Sequence, residues 1–126
     1  SGLHLVRRSL QQLLDVSLPA AELATIRACL ERHGGEIVGY TELRTRRSGV
    51  ERYVNLDLTL PRHLSIEQAH QLCERIEDEI GVALGNCLAI IHCEPCSWDE
   101  KTPCPGDNCR AAESCARLTG QGARPA

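Results

Sequence analysis

Residues 53–60 read Tyr-Val-Asn-Leu-Asp-Leu-Thr-Leu, and this alternation constrains the fold more than any other feature of the chain. Successive side chains of a strand point to opposite faces. Val54, Leu56, Leu58 and Leu60 therefore share one face, and Tyr53, Asn55, Asp57 and Thr59 the other. One face suits a core and the other a polar surface, so the sheet needs a helical layer on its apolar side. The core must be aliphatic, because the 126 residues include no Phe, no Met and one Trp, Trp98. A chain of this length supports one domain with a modest core.

The flanking segments supply the helices and the other strands. Leu3–Val16 reads as a short amphipathic helix ending at Asp15. Pro19 suits the first turn of a second helix, with Leu23, Ile26 and Leu30 at helical spacing and Gly34 and Gly35 as its stop. Glu36–Arg46 predicts a strand from the β propensity of Ile37, Val38 and Tyr40. Ser48-Gly49 makes the turn into the alternating strand, which Pro61 ends. Ser65 and Gln68 form a capping box. The helix it opens carries the apolar stripe Ile66, Ala69, Cys73, Ile76 and Ile80, and Gly85 closes it. Ala89–Glu94 predicts the last strand, ended by Pro95. The order is α-β-β-α-β, an α+β unit of two layers with a three-stranded mixed sheet. Division follows composition: a linker helix over 1–16, the folded domain over 17–95, and an irregular Cys-rich tail over 96–126, with at most a short helix around Arg110–Leu118. There are no internal repeats.

Several function classes are excluded on composition. The net charge is −3 and aromatics are scarce, whereas nucleic-acid binders combine a basic face with stacking aromatics. No apolar run approaches the roughly 20 residues that span a bilayer. The longest candidate, Val82–Ile91, is broken by Gly85 and Asn86. No secretory signal precedes the fold, and the opening Ser-Gly reads as a cloning remnant. Neither a nucleophile–base pairing nor a phosphate loop is present, so no enzyme is expected. Eight cysteines are many for this length. Several fall inside predicted elements and five crowd between Cys93 and Cys115, which favours reduced thiols over a disulfide framework.

Two groups of residues suggest metal chemistry. His92 and Glu94 are two apart on the last strand and project from one side of the sheet. If the strands are neighbours, they converge with Asp57 on the side away from the leucines. Imidazole and carboxylate donors suit Zn²⁺ and other divalent first-row ions. The competing reading leaves these residues simply solvated. His70 lies at the margin of the helical stripe, where the plainer role is a hydrogen bond to a carbonyl or water. The second group is Cys93, Cys96, Cys104, Cys109 and Cys115. Paired thiols joined by a loop suit a thiolate-bound metal; unligated tail thiols and a redox pair at Cys93-Glu94-Pro95-Cys96 are the alternatives. Redox chemistry is disfavoured, because that pair ends a strand rather than opening a helix. Cys93 alternates with His92 and so points toward the core. Cys29 and Cys73 read as small apolar filler. Arg44 and Arg46 share a face and could pair with acids such as Glu77 or Asp78, within one chain or between two, or else stand solvated beside the turn.

Four blocks occur in order: Thr-Glu-Leu-Arg-Thr-Arg-Arg-Ser-Gly from Thr41, the alternating strand, Ser-Ile-Glu-Gln-Ala-His, and Ile-Ile-His-Cys-Glu-Pro ending at Pro95. Together, over about residues 9–96, they resemble the cytoplasmic C-terminal domain of cation diffusion facilitators, the zinc and divalent-cation efflux transporters. The resemblance implies a ferredoxin-like, metallochaperone-like fold and a homodimer on the cytoplasmic face of a membrane, attached to a transmembrane domain of its own. It implies a metal-regulatory role, with His70, His92 and Glu94 as zinc ligands and Asp57 where the family often has His. Thr41 stands where the family commonly has another His, so one site or weaker binding is expected. Asp15 matches an acidic residue that interlocks with the membrane domain; otherwise it is a residue near a helix end. The rival functions are a stand-alone soft-metal chaperone and a small thiol redox module, both using the Cys-rich end.

Overall fold

The computed structural model describes residues 17–97. The predicted helix over 1–16, Asp15, and Cys104, Cys109 and Cys115 lie outside the described residues. Two helices, α1 (Ala20–Arg32) and α2 (Ile66–Leu84), accompany three strands, β1 (Gly39–Ser48), β2 (Glu51–Leu60) and β3 (Cys87–Pro95), in the order α-β-β-α-β. The sheet order is β1-β2-β3; β1 and β2 are antiparallel, while β2 and β3 run parallel. The α2 crossover supplies the length that a parallel pair needs. This is the ferredoxin-like, two-layer α+β arrangement.

The core lies between the sheet and the helices. Val54, Leu56, Leu58 and Leu60 are all buried, as their alternation requires. Ile26, Cys29 and Leu30 of α1 and Leu72, Cys73, Ile76 and Ile80 of α2 close over them. Ile66 departs from the predicted stripe. As the first helical residue it is 91% exposed, and Leu72 is buried instead.

Local signals set most element ends. The Ser65 hydroxyl accepts from the Gln68 N–H at 3.1 Å, and the Gln68 side chain accepts from the Ser65 N–H at 2.9 Å. Gly85 ends α2 with φ 66° and ψ 147°, a conformation that essentially only glycine tolerates. Gly49, at φ 62°, opens the two-residue β1–β2 turn, as a type II′ hairpin demands.

The start of β1 differs from the predicted strand. Residues 33–36 form turns after α1, and the Glu36 and Ile37 N–H groups donate to the His33 carbonyl. Ile37 is buried, but as a plug beneath the sheet rather than as a strand residue. A second difference lies inside β1. The register slips between Thr41 and Arg44, so two residues oppose one of β2, and Glu42 takes φ 53°. This bulge reverses the alternation. Without it Thr41 and Arg44 would face opposite ways; with it both face away from the helices.

Candidate metal centre

Register across the three strands decides which side chains meet. His92 is the direct β3 partner of Asp57, and Thr41 is its partner on β1. Thr41, Asp57 and His92 thus form one row across the open face. Glu94 occupies the next row, level with Thr59. Neighbouring strands stand about 4.8 Å apart, so the Asp57 carboxylate and His92 imidazole can reach one ion. Their oxygen and nitrogen donors fit a divalent first-row cation.

The row does not make a complete cage within one chain. Among the described residues, no three His, Cys, Asp or Glu side chains come close enough together to hold an ion. The sequence reading aimed Asp57, His92 and Glu94 at a single point. The structure instead gives two donors in one row and a third one pleat further along. The Thr41 hydroxyl completes the row but is a poor ligand for a cation of this class. His70 is set apart from Asp57 and His92. It lies on α2, exposed and 3.2 Å from Glu74 Oε1, and with Glu94 it borders a groove between α2 and β3.

The rest of the open face is basic, aromatic and apolar. The Arg46 guanidinium lies 4.4 Å from the centroid of the Tyr53 ring, a cation–π contact. Arg44 pairs with Glu42 at 2.6 Å, across the bulge. Within the chain Arg44 thus has Glu42 as its partner, where Glu77 or Asp78 was expected. Glu77 instead accepts from the Ile91 N–H at 2.7 Å, which blunts the exposed edge of β3. Leu88 and Ile90 are 55% and 52% exposed on the same face as His92.

Two ionic clusters that the sequence reading missed hold the helices in place. Arg52 grips Glu22 with two hydrogen bonds of 2.9 and 3.0 Å and donates to the Gly85 carbonyl at 3.1 Å. It thereby ties α1, β2 and the end of α2 together. His33, buried at the end of α1, faces Glu36 Oε2 at 2.8 Å and Glu79 Oε1 at 3.0 Å. Arg32 and Arg75 extend this cluster through Glu79 and Glu36. The signal for it was slight: charged residues four apart on helices and a histidine at a helix end.

These clusters give the fold an acid limit. The Arg52 hydrogen bonds hold the Glu22 carboxyl below the ordinary range, against a smaller upward push from burial. For Glu79 burial is the largest single effect and pushes upward, but His33 and Arg32 together outweigh it and the carboxyl titrates low. Both are depressed in the folded state, so their stabilisation is complete above the ordinary glutamate pKa and disappears as pH falls through the depressed values. Urea midpoints are expected to hold from neutrality to about pH 5 and to fall steeply below pH 4. Glu22→Gln is expected to be less stable at neutral pH and to show a shallower acid loss.

Residues 18–96 match the family model described as "Cation efflux protein, cytoplasmic domain". The match covers well over half of the chain, and the chain belongs to this family. The cation-efflux pump FieF of Salmonella arizonae is 35% identical over 97 residues, which are 77% of this chain and 32% of the relative. The chain thus spans about a third of the length of the curated relatives it matches. Among solved structures, CzrB, described as a zinc transporter and seen in its zinc form, is similar with a TM-score of 0.59 and 35% identity. The alignment covers 65% of this chain and 93% of that one. The metal-bound C-terminal domain of the CzcD transporter from Thermotoga maritima is similar with a TM-score of 0.57 and 26% identity, over 66% of this chain and all of the other.

Proposed function

We propose that this chain is the regulatory and dimerisation domain of a divalent-cation efflux transporter, that zinc is its regulatory ion, and that zinc stabilises the dimer. The row of Asp57 and His92 carries this reading. It offers two donors suited to zinc on an open sheet face, beside the exposed Leu88 and Ile90. A tetrahedral ion needs more donors than this row supplies. Glu94, His70 of a second copy, or water would supply the rest. The family model is named for a dimer, and the CzrB and CzcD domains were solved with metal, which supports the same reading.

The mechanism is linkage. An ion that binds the assembled pair better than the separate chains shifts the population toward the pair by its difference in affinity. The domain carries out no catalytic step. A membrane domain of the same protein, at the cytoplasmic face, would read the change in spacing between two copies. Among the described residues no helix is long and apolar enough to cross a membrane.

Sedimentation of the chain at rising Zn²⁺ tests the proposal. Zinc is expected to move the wild type toward a dimer, and Asp57→Ala is expected to lose the zinc-dependent part. An Asp57→Ala protein that dimerises with zinc as the wild type does would remove the row from the mechanism.

A further inference from the structure

The groove between α2 and β3 holds a second pair of donors on the helix side of the sheet. Alternation along β3 sorts its donors by face: His92 and Glu94 point to the open side, and Cys93, level with Leu58, points to the helix side. Cys73 comes from the buried stripe of α2; it is 6% exposed yet lines the groove. The Cys93 thiol is exposed, borders the same groove and, after burial itself, is the main influence that pushes the Cys73 thiol up. One thiol is therefore fixed by the core, and the other is open to solvent.

We propose that Cys73 and Cys93 form a two-coordinate site for a soft monovalent cation, Cu⁺ or Ag⁺. The donor count selects the ion. Among the described residues no third His, Cys, Asp or Glu joins a group of three. Zinc prefers four ligands and is poorly served by two sulfurs. Soft thiolates favour Cu⁺, which accepts two in a line. Of the α2 donors that also line the groove, Glu77 is engaged by the Ile91 N–H and His70 by Glu74. Binding releases two thiol protons to solvent and changes no oxidation state. The β3 backbone separates this site from the Asp57–His92 row. Soft and borderline cations thus have different faces of one strand, and the thiol site needs no second chain. Cys96 lies past the end of β3, its N–H bonded to the Leu60 carbonyl at 2.8 Å.

The test uses the full chain with Cys96, Cys104, Cys109 and Cys115 replaced by serine, kept anaerobic with a phosphine reductant. Cu⁺ is titrated in competition with a chromophoric chelator. One equivalent is expected to bind, with two sulfur neighbours by X-ray absorption. Cys93→Ser, a surface change that leaves the core intact, is expected to weaken binding at least tenfold. Asp57→Ala and His92→Ala are expected to leave it unchanged, whatever they do to the zinc response. Undiminished binding in Cys93→Ser, a coordination number above two, or no binding in the serine background would each overturn the proposal.

Discussion

Ile76→Ala is expected to destabilise the domain by about 2–5 kcal/mol, the range for emptying a fully buried aliphatic site. Ile76 has no exposed surface and sits in the middle of the α2 stripe, over the leucines of β2. The core has no Phe or Met to slide into the gap, and β-branched and leucine side chains adjust poorly to a lost neighbour. A domain of this size has a total stability of about 5–15 kcal/mol, so the variant should lose a large share of it. Urea denaturation monitored by circular dichroism measures the change. A loss below about 1 kcal/mol would mean that α2 does not seal the sheet as described. Ile66→Ala, at an exposed position of the same helix, should be nearly neutral and serves as the comparison.

His92→Ala is expected to abolish the zinc response of the domain. Disturbing an outer-shell partner of a metal costs about 10–100-fold in affinity, so deleting a ligand from a two-donor row should cost no less. Zinc calorimetry on the wild type, on His92→Ala and on the variant with Cys96, Cys104, Cys109 and Cys115 replaced by serine distinguishes the possible sites. The serine variant is expected to bind zinc as the wild type does. If it loses zinc while His92→Ala retains it, the zinc site belongs to the tail thiols and the row of Asp57 and His92 is only a polar patch. His92 is exposed, so its replacement should leave the urea midpoint nearly unchanged. A change in zinc binding can then be read as a change at the site.

His70 stands apart from the row within the chain, exposed on α2 beside Glu74. The bulge at Glu42 lets Thr41 stay level with Asp57 and His92 while Arg44 shares their face, so the row carries a hydroxyl at its β1 end. The helical glutamate Glu77 has a different task, capping the β3 edge rather than pairing with arginine.

Period and propensity in the chain determined the order of its elements and the buried face of β2, though not the start of β1 or the exposure of Ile66. The alternation of residues 53–60 assigned Val54, Leu56, Leu58 and Leu60 to the core, and Ser65, Gln68 and Gly85 marked both ends of α2, because these signals act within a few residues. Tertiary structure alone decided what lies beside what. The parallel register put His92 level with Asp57 and left Glu94 one row away; the bulge turned Thr41 and Arg44 to one side; the packing of α2 on β3 put Cys73 and Cys93 on one groove. Such contacts join residues tens of positions apart, and the free energy that selects them comes from burying whole faces, which local sequence does not encode.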